Sequence, residues 1–224
     1  MLKHIALQID PHLANINGKV FYSGRSAFAV QGGIYVLGLN PGGDPKTHPD
    51  ETISSHTKFI MSRAPADWSA YVDEIWQGKG PTTQKRICHL LSSLGADVRR
   101  VASSNLIFNR SKRIASLQVN LRQQIEICWP VHLAVIQSLK PRAIICFGQA
   151  CAEEVRKRVD ADRHVASFSE NNERRWTSCA WRSSKGTTVF QLAHPSIADW
   201  TKVATDPSPM VKAALPPEVL ALYR

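Results

Sequence analysis

The sequence predicts an α/β fold built on a parallel sheet with helices on both faces. Four short apolar runs carry that prediction: Ile34 to Leu37, Val101 to Ser104, Ala143 to Phe147 and Thr188 to Ala193. Each has the length of a buried strand, and segments of helical spacing lie between them. Each run also releases a glycine or a polar residue at its C-terminal end, namely Gly38, Asn105, Gly148 and His194. In an open parallel sheet that edge is where ligands bind.

Along the chain, residues 1 to 33 show little periodicity and two turn signals, Asn17-Gly18 and Gly32-Gly33, and read as an irregular lead-in or a small edge hairpin. The stretch from Pro41 to Pro81 is rich in Pro, Thr, His and Asp, and reads as a functional loop leading to a short helix over Trp68 to Trp76. Thr82 or Thr83 is placed to cap a further helix, with Ile87, Leu90, Leu91 and Leu94 on one face and Gly95 at its stop. Leu121 to Leu139 is the clearest amphipathic segment, and Pro130 within it is expected to kink it or split it in two. Gln149 to Val159 reads as a helix starting directly after Gly148. The polar segment 160 to 186 reads as a loop or hairpin carrying Trp176 and Trp181, and a proline-rich tail ends the chain.

With 224 residues, 43% of them hydrophobic, the chain is long enough for one well-cored domain and too short for two, so residues 1–224 read as a single unit with its core at about 34–200. No segment approaches the roughly 18 consecutive apolar residues of a membrane span, and the first residues lack the apolar stretch of a signal peptide. The expectation is a soluble, cytoplasmic protein without membrane contact, acting as a monomer. Five cysteines, Cys88, Cys128, Cys146, Cys151 and Cys179, include no Cys-x-x-Cys, which argues against a disulfide framework and a standard zinc site. The formal charge of +10 is gathered in clusters such as Arg99-Arg100, Arg110 to Arg113, Arg156 to Arg158 and Arg174-Arg175. Such clusters suit a phosphate-bearing partner, because cations that neutralise phosphates release condensed counterions.

The chemistry-bearing residues sit at the strand ends. In Gly38-Leu39-Asn40-Pro41-Gly42-Gly43-Asp44-Pro45, two prolines and three glycines force a tight path on which main-chain N–H groups face a ligand. Gly38, Leu39, Pro41 and Gly42 are therefore candidate substrate-binding positions, and Asn40 supplies a neutral amide able to orient a water. Asn105 donates and accepts at once and is suited to reading the edge of a nucleobase. His194 is followed by Pro195, whose fixed backbone holds the loop in one shape, and Ser196 is placed to cap a helix or contact a phosphate.

Taken in order, Gly38-Leu39-Asn40-Pro41-Gly42, Ser104 to Arg110, Cys128-Trp129-Pro130 with Lys140 to Gly148, and Ala193-His194-Pro195-Ser196 resemble the uracil-DNA glycosylase superfamily over residues 34 to 200. The resemblance implies a three-layer α/β/α sandwich with a four-stranded parallel sheet and a pocket for a flipped base. It implies that Asn40 positions the water attacking the sugar C1′, that His194 stabilises the charge developing on uracil O2, and that Asn105 reads the uracil edge. Gly148 and Ser196 fall in the substrate pocket. Arg110, Lys112, Pro195, Ser196 and Ile197 fall on the DNA-binding side, and the implied partner is single- or double-stranded DNA. Phe59, Trp68 and Tyr71 are candidates to stack on the base, and Ile197 or Trp200 to wedge into the duplex.

Motif one carries neither the Asp of the most active branch nor the Glu of the iron-sulfur branch. Only Cys128 matches a cluster ligand of the latter, Asn109 standing where it has cysteine, so no metal, cluster or organic cofactor is implied. The function expected is hydrolysis of the N-glycosidic bond of uracil or a related deaminated base in DNA. The alternative is an inactive member that binds DNA or a damaged base. A nucleotide- or phosphate-binding α/β protein is a further rival, but the chain lacks both Gly-x-x-x-x-Gly-Lys-Ser/Thr and Gly-x-Gly-x-x-Gly.

Overall fold

A computed structural model of the chain describes residues 1–76, 78, 80–112 and 120–223. The strands are β1 (Ile34–Gly38), β2 (Ala102–Asn105), β3 (Ala143–Phe147), β4 (Arg163–Ser169), β5 (Thr177–Arg182) and β6 (Thr188–Leu192). They form one sheet in the order β2-β1-β3-β6-β5-β4. The four runs expected as strands are its parallel part, and β1, β2 and β3 are buried along their whole length. Their C-terminal ends are level, with Gly38 opposite Asn105, Leu37 opposite Cys146 and Phe147 opposite Leu192.

The sheet has six strands, which corrects the four-stranded sheet that the resemblance implied. The additional pair is the antiparallel hairpin β4–β5, attached to β6 through β5. The sequence left this segment open between loop and hairpin because β4 is an edge strand, exposed at Arg163, His164, Ser167 and Ser169. A register shift between His164 and Ala166 further breaks its alternation.

The helices are α1 (Leu2–Ala6), α2 (Ile53–Lys58), α3 (Ala70–Asp73), α4 (Gly80–Ser93), α5 (Leu121–Leu139), α6 (Gln149–Arg158), α7 (Ser208–Ala214) and α8 (Pro217–Ala221). Helix α6 packs on β3 and β6, and α5 on α1. Pro130 does not split α5, which runs as one helix. Its buried stripe, Ile125, Cys128, Val131, His132, Val135 and Leu139, holds it across the proline, which lies on the exposed side. No helix is long and apolar enough to cross a membrane among the described residues.

Two segments read as peripheral are parts of the core. In the lead-in, Val20, Phe21, Tyr22 and Phe28 are buried, and the backbone of Tyr22 donates to Ser103 O at 2.9 Å, so this segment covers the outer edge of β2. It forms single bridges rather than a ladder, which leaves no period-two signal. In the tail, Val211 and Val219 are buried, and the Tyr223 hydroxyl accepts from the Ile34 backbone N–H at 2.7 Å, locking the end of the chain onto the start of β1.

Candidate active site

The loop after β1 is fixed from two sides. The Asn40 Nδ2 donates to Pro41 O at 2.8 Å and to Ser111 O at 3.4 Å. Both partners are carbonyl oxygens, which settles the orientation of the amide and turns Oδ1 to be its accepting end. Arg110 holds the loop from beneath: its Nη1 donates to Gly42 O at 2.6 Å, its Nε to Asn17 Oδ1 at 2.8 Å, and its Nη2 pairs with Glu51. With its side chain only 6% exposed, this arginine clamps the loop. Lys112 is exposed and lies 3.7 Å from Asp44, and Arg113 falls outside the described residues.

At the end of β2, Asn105 is buried, and its Nδ2 faces the Tyr22 phenol without making a hydrogen bond of good geometry. Its Oδ1 fills the space beside Gly38, where any Cβ would overlap it. An unsatisfied buried donor costs about 1–3 kcal/mol, and it is the sort of group that a ligand carbonyl relieves. Tyr22 is the aromatic next to it. Burial pushes the Tyr22 phenol up, the Glu74 carboxylate adds to this, and Arg110 and the Asn105 side chain act in the opposite direction. Tyr22 packs on Tyr71 and Trp76 with ring centroids 6.1 Å apart in each case. Of the three stacking candidates, Tyr71 therefore joins the group around Asn105. Phe59 and Trp68 pack edge-on against each other at 5.6 Å and around His56.

Past the end of β6, the Ser196 backbone N–H donates to His194 Nδ1 at 3.1 Å, and the Ser196 hydroxyl lies 2.8 Å from the same atom. An acceptor Nδ1 places the imidazole proton on Nε2. Burial holds the His194 imidazole down at about 4, so it is neutral at neutral pH and presents a donor. Beside it, Gly148 has φ +90°, a backbone conformation that L side chains rarely adopt, and lets the chain turn from β3 into α6 next to the His194 ring. The loop is braced by Arg86 on α4, whose Nη1 donates to Pro195 O at 2.7 Å and whose Nε donates to Asp199 at 3.2 Å. Ile197 is 49% exposed. Trp200 is fully buried, donates through Nε1 to Ala193 O at 3.1 Å and packs on Phe147, which removes it as a wedge and makes it a strut of the loop.

A buried charge cluster lies alongside. Lys19 Nζ is 2.8 Å from Glu74 and 3.0 Å from Glu51. Burial raises the Glu74 carboxyl, but the His56 imidazole 3.7 Å away, the Lys19 ammonium and the Trp76 indole outweigh it and hold the group at about 2. Among the described residues, Glu51, His56 and Glu74 have ligand atoms within 4.8 Å of one another and could hold a metal ion. The Lys19 ammonium bridges both carboxylates and Arg110 pairs with Glu51, so two cations balance the two carboxylates.

The structure thus sets Asn40, Asn105, Gly148 and His194 at the level ends of four adjacent strands. Sequence reasoning missed Tyr22, hidden in a lead-in without periodicity, and the two clamps Arg86 and Arg110, whose charges look like any others in a basic chain. No protein-family model matches this chain, and no curated protein matches it.

Proposed function

We propose that the protein is a DNA N-glycosylase that removes uracil or a related deaminated base, acting as a monomer in a three-layer α/β/α arrangement. The observation that carries this reading is His194, just past the end of β6, whose Nδ1 accepts from the Ser196 backbone N–H and so leaves Nε2 as the end that donates. In N-glycosidic hydrolysis the C1′–N bond breaks with its electron pair leaving on the base, and water oxygen bonds to C1′, its released proton passing through solvent to the departed base anion. The leaving base is an anion delocalised onto its carbonyl oxygens. A preorganised neutral donor at that oxygen strengthens its interaction as charge develops, which lowers the barrier without a proton transfer. The Asn105 Nδ2, buried and without a hydrogen bond of good geometry, would gain one from a carbonyl of the flipped base. The Asn40 Oδ1 would accept from the attacking water and aim it, its other end being tied to two carbonyls.

One observation favours a second reading, DNA binding without cleavage. Asn40 cannot take a proton from the water, and the nearby Asp44 carboxylate accepts from the Lys46 backbone at 3.0 Å and caps its own turn. Base release from oligonucleotides carrying a single uracil, followed as alkali-labile strand cleavage, separates the two. The glycosylase reading expects product from the parent protein and its loss in both Asn40→Ala and His194→Ala. Absence of product on uracil, hypoxanthine and xanthine, with salt-sensitive DNA binding retained, would leave the binding module.

A further inference from the structure

The turn between β4 and β5 is braced both from within and from the segment beside it. Glu170 N donates to Trp176 O at 2.8 Å, closing the turn at its base, and Asn171 N donates to Ala204 O at 2.8 Å, fastening it to the segment after the His194 loop. Inside the turn the Glu170 carboxylate, 2% exposed, accepts from Asn172 Nδ2 at 2.8 Å and Arg174 Nη2 at 3.1 Å. The Asn172 Oδ1 accepts from the backbone N–H groups of Arg174 and Arg175. Arg174 also stacks on Trp176 at 4.4 Å and donates through Nη1 to Ile197 O at 2.8 Å.

The result is a rigid rim around an exposed apolar point. Ile197 is held by Arg174, and Val203, 94% exposed, stands on the segment that Asn171 grips. Arg175 follows in the left-handed region at φ +52°, with an exposed side chain that makes no ion pair among the described residues. Lys202 is exposed and has only a 3.9 Å pair with Asp199 three residues away.

An apolar side chain on a braced loop has a use in the gap that a flipped base leaves between stacked neighbours, and stacked neighbours belong to a duplex. Cations beside it would meet the phosphates that flank the gap. We propose that the β4–β5 turn and the 202–203 segment form a duplex-DNA rim, in which Arg175 and Lys202 bind backbone phosphates while Arg174 positions Ile197. This rests on the glycosylase or DNA-binding reading above and adds to it a second contact surface and a preference for double-stranded DNA.

The test is a salt titration of binding to an undamaged duplex and to a single strand of the same sequence. It compares the parent with Arg175→Gln/Lys202→Gln, two exposed positions whose change leaves the Glu170 pairing intact. The expected result is tighter binding of the duplex than of the single strand by the parent. In the double variant, duplex affinity should weaken and the slope of log K against log salt should become shallower by about 2, one for each phosphate contact removed. A Val203→Lys variant should bind duplex no worse than the parent at low salt. Parent-like affinity and slope in the double variant would overturn the rim while leaving DNA binding intact. No salt-dependent affinity of the parent for either DNA would overturn the functional reading and the rim together.

Discussion

Asn105 is the residue where structure and proposed activity pull apart most clearly. A side chain kept for stability should cost stability when removed, but its Nδ2 is buried without a hydrogen bond of good geometry and costs about 1–3 kcal/mol as it stands. Asn105→Ala is therefore expected to hold stability within about 1 kcal/mol of the parent, relief of the orphan donor offsetting the lost packing. Under the glycosylase reading kcat/KM should fall by about 10–100-fold, the size of one buried hydrogen bond. Urea unfolding and base-release kinetics on the same preparation check both parts, and a large stability loss with activity retained would contradict them. Asn105 was legible because it ends an apolar run, as were Asn40 and His194. For Arg110 the sequence shows a charge but not that Asn17, Gly42 and Glu51 surround it.

Among the elements, α5 shows how far burial overrides local preference. A proline inside a helix removes one backbone hydrogen bond, crowds the preceding turn and costs about 3 kcal/mol, but α5 passes through Pro130 unbroken. Since Pro130 is exposed, Pro130→Ala should restore the bond to the Glu126 carbonyl and raise stability by about 1–3 kcal/mol, read as a higher urea midpoint with an unchanged slope. A lower midpoint would mean that the ring packs usefully against the chain. The parallel strands were legible because burial on both faces makes them continuous apolar runs, as Ala143–Phe147 shows. The hairpin was legible only as one of two possibilities, since β4 faces solvent and is offset at His164.

Across the whole molecule, burial of two histidines sets the response to acid. Burial lowers both His132 and His194 from the ordinary 6.5 to about 4. Between those values the unfolded chain binds protons that the folded protein does not, so stability must fall as pH drops through that window. Glu74, held at about 2 against an ordinary 4.5, adds a further loss below pH 4.5. The unfolding free energy at pH 5 should lie below that at pH 7.5 by about 1–2 kcal/mol for each histidine, seen as a lower urea midpoint, and an equal or higher midpoint would show that neither ring is kept neutral by the fold. The sheet itself is closed at one end and open at the other. The lead-in seals β2, while β4, polar along much of its length, pairs with no further strand among the described residues. All four candidate site positions lie on or just past β2, β1, β3 and β6, away from that open margin. Further strands could therefore be appended there by insertion without disturbing the reactive groups, so the architecture separates where it is able to grow from where its chemistry must stay still.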